Sequence, residues 1–401
     1  MEAAARWQLQ SQLLIAIKTN RVDTVRHIIG EFGLDVDEPL GLGPNRKSPV
    51  SLAIEAGQLD MLACLLELGS GVNGTDADGL TPLHVAVREQ QGDMVRMLLA
   101  QRALPNLPTP TGVTPLHLAV GSGNLALVKQ LVHAGASVQA TDARDCSVLM
   151  LAACRGSDGL LKYLLAKGAR LDGCDADGHC VAHFFNRLSL ETVLLLLRHA
   201  RLQGISRQLV NQKTRQGHTP LHILASAGLS KRPAGLAVLR LLLDEEGVQL
   251  DSRDCLGRTA LHLATAGGWP EAVASLAGAG AGLGLRDQLG QTPFRQACRR
   301  RDRPMIVELV QAGALFYVPD DFDWLWAEER SQDLHGPSLT FARSLASNLP
   351  YSLQFWCRHA VRTHCGLPIK LPPLLVPRDL RDYLTAAHNR LSLLTPQFDD
   401  N

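Results

Sequence analysis

A four-residue cluster, Thr-Pro-Leu-His, recurs along this chain of 401 residues at a nearly fixed step. Weaker copies fill the gaps, so that the cluster starts lie 33, 33, 33, 33, 39, 40 and 33 residues apart. In chain order the copies begin at Ser48, Thr81, Thr114, Ser147, Cys180, Thr219, Thr259 and Thr292. Such a period predicts an array of stacked helical units, because a single unit cannot bury its own apolar face.

Each residue of the cluster suits the start of a helix. Thr81 at the N-cap offers its hydroxyl to an unpaired backbone N–H, and Pro82 fits the first helical position. His84 can hydrogen-bond back across the turn to the cap. Apolar residues at helical spacing then predict a second helix in each unit, as in Met94, Val95 and Leu98. Gly-Ala pairs predict the end of that helix, and Asp-x-x-Gly sequences predict a hairpin tip before the next cluster.

The composition excludes several classes of protein. The net charge of +1 provides no general electrostatic attraction to nucleic acid or to an anionic membrane. The first residues lack the pattern of a signal peptide, and the longest leucine tract, residues 193–197, is too short to span a bilayer. Nine cysteines without a C-x-x-C pair point to a reducing compartment. We therefore expect the cytoplasm, with the nucleus as a second location, and no membrane or nucleic-acid partner.

The repeats divide the chain into five parts. Residues 1–42 form a divergent N-terminal capping repeat, residues 43–315 hold about eight repeats, and residues 316–348 are an aromatic-rich linker or C-terminal cap. Residues 349–390 form a separate C-terminal module, and residues 391–401 are a tail. Two repeats carry insertions, at 199–213 and 230–233, and each insertion is either a tolerated surface loop or part of a binding face.

The cluster and its period resemble those of ankyrin repeats. The C-terminal module in turn resembles a SOCS box. Leu353, Cys357, Ala360 and Val361 lie on one face of a predicted helix after Pro350, as in the family's elongin-binding box. Downstream, the stretch Leu374, Leu375, Val376 and Pro377 matches the cullin-contact motif, although Leu375 stands where the first proline is usual.

This layout is similar to that of the ankyrin-repeat and SOCS-box family. The resemblance implies an all-α ankyrin solenoid of helix-turn-helix repeats with hairpin loops, followed by a small helical SOCS box. It also implies a non-catalytic adaptor of a ubiquitin ligase, whose SOCS box binds elongin B, elongin C and cullin-5 with its RING protein. Cullin-2 is the alternative cullin. The repeat array would then hold a protein substrate that the sequence does not identify, and no cofactor is implied.

Other candidate sites in the sequence are weaker. Cys357, His359, His364 and Cys365 resemble a metal set by composition, but Cys357 and His359 point about 200° apart on a helix, which does not suit tetrahedral zinc. The repeated histidines have a structural role at the caps, and no catalytic, phosphate-binding or metal motif is evident. The alternative function is an ankyrin scaffold that tethers or inhibits a partner without a ligase. Charged residues at the predicted tips are candidates for partner contact by position only: Asp78, Arg144, Asp145, Arg215, Arg253 and Arg286.

Overall fold

The computed structural model describes residues 2–40, 47–226, 233–300, 302–312 and 314. The predicted SOCS box, residues 349–390, and the predicted linker, residues 316–348, lie outside these ranges. The chain forms two compact units, Met1–Cys255 and Leu256–Asn401. In the described residues, each unit is built from helix pairs, and there is no β-strand beyond the isolated bridges Leu40–Lys47 and Thr141–Ser147. The predicted all-α repeat fold is confirmed.

Within the described residues, the first unit contains seven helix pairs and one additional short helix, α12. Their bounds are α1 Glu2–Lys18, α2 Val22–Phe32, α3 Pro49–Glu55, α4 Leu59–Glu67, α5 Pro82–Arg88, α6 Gly92–Ala100, α7 Pro115–Ser122, α8 Leu125–His133, α9 Val148–Arg155, α10 Asp158–Ala166, a 3₁₀ helix Val181–Arg187, α11 Leu190–Leu202, α12 Ser206–Asn211, α13 Pro220–Ser226 and α14 Pro233–Leu243. The second unit contains α15 Ala260–Gly267, α16 Pro270–Gly278, α17 Pro293–Arg300 and α18 Arg303–Gln311.

Except in the N-terminal pair, which lacks the cluster, the first helix of each pair begins where the cluster predicts. Thr81 has extended backbone angles, φ −80° and ψ 162°, and its hydroxyl accepts a hydrogen bond from the backbone N–H of His84. The chain leaves such a helix through a left-handed residue, as at Gly123 with φ 80°. Because the helices are only seven or eight residues long, the caps matter, and each contributes about 1 kcal/mol.

Both helices of each pair contribute to the apolar core. In α4, Met61, Leu62 and Leu65 have no exposed surface. Full burial of such side chains stabilises a fold by about 1.5–3 kcal/mol each. First helices pack on first helices of adjacent pairs, and second helices on second helices, so each pair depends on its neighbours for burial.

Polar side chains also tie successive repeats together through backbone groups. Asn106 accepts a hydrogen bond from the N–H of Ser137 and donates one to the carbonyl of Gly135, in the next repeat. Gln139 makes the equivalent pair of bonds to Arg170 and Gly168. Because these side chains satisfy backbone groups just past a helix end, they fix the spacing between repeats.

The insertion at 199–213 is helical rather than a loop. It lengthens α11 and adds α12, whose Leu209 and Val210 are buried. The carboxylate of Glu245, with a side chain 2% exposed, pairs with Arg201 and accepts a hydrogen bond from Ser206 Oγ at 2.9 Å. The insertion is therefore packed into the fold. Most of the second insertion lies outside the described residues, and Pro233 opens α14.

One first helix departs from the α form. Residues 181–187 form a 3₁₀ helix after the weak cluster copy that begins at Cys180. The segment contains Phe184, Phe185 and Asn186, residue types with a low helix propensity, and it lacks the proline of the full cluster. The tighter helix still buries Val181 and Phe185 and packs between α9 and α13.

Candidate binding surface

A side chain organises the hairpin tips by accepting hydrogen bonds from backbone N–H groups of the same turn. At the tip of residues 76–79, the carboxylate of Asp76 accepts hydrogen bonds from the backbone N–H of Asp78 and of Leu80, at 3.0 and 2.8 Å. Asp142 and Asp175 repeat this arrangement in later tips. The predicted Asp-x-x-Gly turns are therefore confirmed, and their first aspartates are used internally.

A ladder of backbone hydrogen bonds joins consecutive tips of the first unit. The N–H of Ala143 donates to the carbonyl of Thr111, that of Ala176 to Arg144, and that of Arg215 to Asp177, at 2.8–2.9 Å. Cys255 continues the ladder by donating to Gln216 at 2.9 Å. The sequence did not predict this ladder, since no side chain encodes it. It holds the exposed side chains of successive tips at a fixed spacing.

The tips between residues 142 and 255 carry exposed charges of both signs, since Asp145 and Asp251 are exposed near the basic residues. Arg144 and Arg215 have side chains 73% and 74% exposed, and both reach the carboxylate of Asp177, at 2.6 and 3.6 Å. Lys213 and Arg253 are also exposed, and no ion pair joins either of them to a described residue. Exposed pairs of this kind contribute little to stability, so these side chains remain available to a partner.

An apolar stripe runs along the first helices beside these tips. It consists of the fifth residue from each cluster start in four consecutive repeats, and all four side chains are half-buried: Leu118, Leu151, Phe184 and Ile223. Because first helices pack side by side, equivalent positions fall in line. At its other border, Arg155 and Arg187 are exposed at the C-terminal ends of their helices.

The repeated histidines belong to the scaffold. His84 Nδ1 accepts a hydrogen bond from the N–H of Thr81 at 3.2 Å, so its proton is on Nε2, which donates to the carbonyl of Val113 at 3.1 Å. The predicted capping role of the histidines is confirmed. In addition, His84 joins its repeat to the next one through the bond to Val113. Burial lowers the pKa of His84 and of His117, and lowers that of His183 to about 4. These imidazoles are therefore neutral at pH 7.

Two further clusters resemble catalytic or metal sites but are not built as such. Cys180 Sγ lies 3.2 Å from His183 Nδ1, yet burial raises the pKa of the thiol to about 12, so no thiolate forms. Asp175, Asp177 and His179 place ligand atoms within 4.8 Å of one another. The aspartates there are engaged with backbone N–H groups and with the tip arginines. A small pocket lined by Asp172, Cys174 and Gln208, among others, lies beside α12.

The residues predicted to bind the ligase lie outside the described residues. This applies to the elongin set, Leu353, Cys357, Ala360 and Val361, and to the cullin set, Leu374, Leu375, Val376 and Pro377. Of the tip residues singled out by position, the structure places Arg144 and Arg215 on the shared aspartate and leaves Asp78 and Asp145 exposed. Among the described helices, none is long and apolar enough to cross a membrane.

Comparisons with known proteins address the repeats. Residues 13–109 and 232–320 match the family model described as ankyrin repeats (3 copies), and residues 111–143 match the ankyrin repeat model. Together these matches cover more than half of the chain. A curated relative, Protein fem-1 homolog A of Danio rerio, is 38% identical over 105 residues, which are 24% of this chain and 17% of that protein. The chain thus matches less than a fifth of that relative's length.

Proposed function

Because this chain is an ankyrin-repeat protein, a class of generally non-catalytic modules that bind other proteins, we propose that it is a substrate-recognition adaptor. In this proposal the repeat array binds a target protein, and residues 349–390 dock on an elongin B/C–cullin-5 RING ubiquitin ligase. The target is then ubiquitinated and degraded. The observation that carries the proposal is the order of the two C-terminal motifs behind a repeat array.

The array supports the substrate-binding half of this function. Its tips are fixed by internal aspartates and by the backbone ladder, so a partner would meet a preorganised surface. Arg144 and Arg215 join the ladder through backbone groups, while their side chains are about three quarters exposed. A surface of this kind can bind a protein without a large rearrangement of its own backbone.

The C-terminal sequence supports the ligase-binding half. Leu353, Cys357 and Val361 recur at helical spacing, so the predicted helix presents one apolar face to elongin C. Leu353 is expected to be the anchor, since one buried leucine contributes about 1.5–3 kcal/mol. The segment Leu374–Pro377 is expected to contact cullin-5, with cullin-2 as the alternative.

The chemistry of the proposed function belongs to other subunits. By binding both a target and the ligase, the chain would raise the local concentration of target lysines near the conjugating enzyme. The described residues supply recognition and spacing for this step. The adaptor itself therefore needs no nucleophile or cofactor.

The test is co-expression with elongin B and elongin C followed by size-exclusion chromatography. Wild type is compared with the Leu353→Ala, Cys357→Ala double variant and with a matched control, Ser352→Ala, His359→Ala, which changes the opposite face of the same predicted helix. We expect a stoichiometric complex for wild type and control, and a loss of affinity of tenfold or more for the double variant.

The alternative function makes a different prediction for the same experiment. A scaffold that tethers or inhibits a partner without a ligase would form no complex with elongin B and elongin C. A folded wild-type chain that fails to bind, or a double variant that binds as well as the control, would contradict the adaptor proposal. If the complex forms, adding cullin-5 or cullin-2 with its RING protein identifies the cullin.

A further inference from the structure

We propose that Cys174 and Cys180 are a redox-active pair, which a low-molecular-weight disulfide such as oxidised glutathione converts into a disulfide across the base of one tip. The two cysteines flank residues 175–179 in the first unit. Cys174 is exposed, whereas Cys180 is buried. The inference concerns a chemical modification of the repeat array and does not depend on the proposed ligase contacts.

The tip between the two cysteines places them opposite each other. The N–H of Asp175 donates a hydrogen bond to the carbonyl of His179 at 2.9 Å. The carboxylate of Asp175 in turn accepts one from the N–H of His179 at 2.7 Å. These bonds close the loop from residue 175 to residue 179. The next residue on each side is a cysteine, so Cys174 and Cys180 form the next opposed pair of the hairpin.

The preceding repeat shows the geometry that this position can adopt. Thr141 and Ser147 occupy the same places there and form an antiparallel bridge, flanked by backbone hydrogen bonds of 3.1 and 3.4 Å. The Cα atoms of such a pair lie about 4.5 Å apart, and a disulfide spans about 4.4–6.8 Å. The bond from Asp175 to His179 is the counterpart of the first flanking bond. The second is not formed between the described residues 181 and 173, so the cysteine pair has room to adjust.

Both cysteines also line one small pocket beside α12. Cys180 Sγ lies 3.2 Å from His183 Nδ1 and donates to the carbonyl of Leu209, on α12, at 3.6 Å. Burial, with a smaller contribution from Cys174, raises the pKa of the Cys180 thiol to about 12. The pair therefore combines an accessible thiol with a buried, protonated one.

Cysteine occupies both of these positions in a single repeat. Among the eight cluster starts, Cys180 stands where every other copy has threonine or serine. A thiol is a weaker hydrogen-bond acceptor than a hydroxyl, so capping alone does not favour cysteine there. The coincidence with Cys174 favours a joint chemical role. Six residues before the other cluster starts stand Leu42, Thr75, Pro108, Thr141, Lys213, Arg253 and Arg286.

The reaction begins at Cys174, because it is the exposed member of the pair. Its thiolate attacks one sulfur of oxidised glutathione, so that a mixed disulfide forms at Cys174 and one glutathione leaves. Cys180 Sγ then attacks Cys174 Sγ, which forms the internal disulfide and expels the second glutathione. The two cysteine protons end on the two departing thiols. Two cysteines are thus oxidised while one glutathione disulfide is reduced, and excess reduced glutathione reverses both steps.

The internal disulfide acts where the tip, the ladder and α12 meet. Cys180 is the N-cap residue of the 3₁₀ helix, so the bond ties the start of that helix to the far side of the tip. Residues 176 and 177, which the disulfide encloses, make the ladder bonds of this tip. Movement of Sγ toward Cys174 also removes its hydrogen bond to Leu209.

The test equilibrates the full chain at pH 8 with 1 mM oxidised glutathione and a series of concentrations of reduced glutathione. Remaining thiols are then blocked with N-ethylmaleimide in urea, and tryptic peptides are analysed by mass spectrometry. Both cysteines lie in one tryptic peptide, residues 171–187, in which an internal disulfide appears as the loss of two hydrogen atoms. The exposed Cys255, in peptide 254–258, reports on simple reactivity toward glutathione.

Two variants separate the steps, and circular dichroism checks that both fold. Cys180→Thr restores the threonine of the other clusters and should leave a glutathione on Cys174. Cys174→Ser should leave Cys180 reduced, because its thiol is buried. In wild type we expect the internal disulfide to exceed the mixed disulfide at Cys174 at least tenfold, while Cys255 carries glutathione.

The folded geometry is tested against the nearness of the two cysteines in sequence. The ratio of internal disulfide to dithiol should be at least tenfold higher in the folded chain than in 8 M urea, because the hairpin holds the pair together. An equal or higher ratio in urea would overturn the inference. So would a mixed disulfide that persists at Cys174 as it does at Cys255, or a peptide 171–187 that stays reduced at every ratio that modifies Cys255.

Discussion

The hydrogen bond from His84 to the next repeat makes a measurable contribution to stability, and His84→Asn should isolate it. The amide oxygen of asparagine can replace Nδ1 and accept from the N–H of Thr81, so the cap is kept. The shorter side chain cannot reach the carbonyl of Val113, which Nε2 contacts at 3.1 Å. The variant therefore breaks the contact between repeats and leaves the helix start intact.

The structure sets the size of the effect at neutral pH. The carbonyl of Val113 also accepts a hydrogen bond from the N–H of Thr109 at 2.9 Å, so it keeps one partner in the variant. The loss is then that of one ordinary hydrogen bond, with a small packing defect, rather than of a fully orphaned group. We expect a decrease in the free energy of unfolding of about 1–2 kcal/mol at pH 7.5.

The same variant should be less harmful in acid. Burial depresses the pKa of His84 below its ordinary 6.5, so as the pH falls the unfolded chain binds the proton first. The stability that neutral His84 contributes is therefore lost as the pH falls below 6.5. Protonation of the unfolded state at pH 5.5 removes up to about 1.4 kcal/mol, which would nearly cancel the difference between wild type and variant.

The assay is urea denaturation followed by far-ultraviolet circular dichroism at pH 7.5 and pH 5.5. Hydrogen exchange of peptides that cover 81–88 and 113–122 shows whether the change is local. A matched variant, Thr81→Ala, removes the cap hydroxyl and should lose about 1 kcal/mol at both pH values, because it leaves an imidazole in place. If the loss in free energy of unfolding caused by His84→Asn stayed constant or grew between pH 7.5 and pH 5.5, the imidazole of His84 would not be a neutral group that bridges the two repeats.

Two further predictions concern the tips and the thiols. Gly112→Ala should destabilise the first unit by about 2 kcal/mol or more, because φ is 76° and the new Cβ would lie 2.5 Å from the nitrogen of Ala143. Gly135 also has a positive φ, 91°, but has open space around the new Cβ. Gly135→Ala should therefore lower the free energy of unfolding by only about 1 kcal/mol. Thermal denaturation measures both, and equal losses would contradict the close approach of the tips. Iodoacetamide at pH 8 should alkylate the exposed Cys174 and Cys255 and spare Cys180, whose buried thiol has a pKa of about 12. Peptide mass spectrometry measures the extent of alkylation at each cysteine. Rapid labelling of Cys180 in the folded chain would contradict its burial.

The sequence predicted the repeats because each unit carries its own local signals. Thr81, Pro82 and His84 fix a helix start within four residues, and Asp76 fixes the turn before it. These interactions span a few residues, so a pattern read along the chain captures them. The capping repeat followed from apolar spacing alone, and the structure confirms its buried Val25, Ile28 and Ile29.

The features that were missed depend on contacts between repeats. The tip ladder uses backbone groups, which are the same for every residue type, and the helical insertion depends on a glutamate 39 residues beyond Ser206. The 3₁₀ form of residues 181–187 reflects packing between α9 and α13 as well as local propensity. The proposed ligase contacts remain predictions, because they lie outside the described residues.

The division of labour among the tip residues explains how one repeat can be both stable and adaptable. The first aspartate of a tip accepts backbone N–H groups, and the second residue donates to the previous tip, so these positions hold the scaffold. The third residue, as in Arg144 and Asp177, contributes its carbonyl to the ladder and directs its side chain outward. Because the ladder uses only the backbone of that position, its side chain can change without loss of the tip. Replacing Arg144 should therefore alter what the tips bind far more than how the array folds.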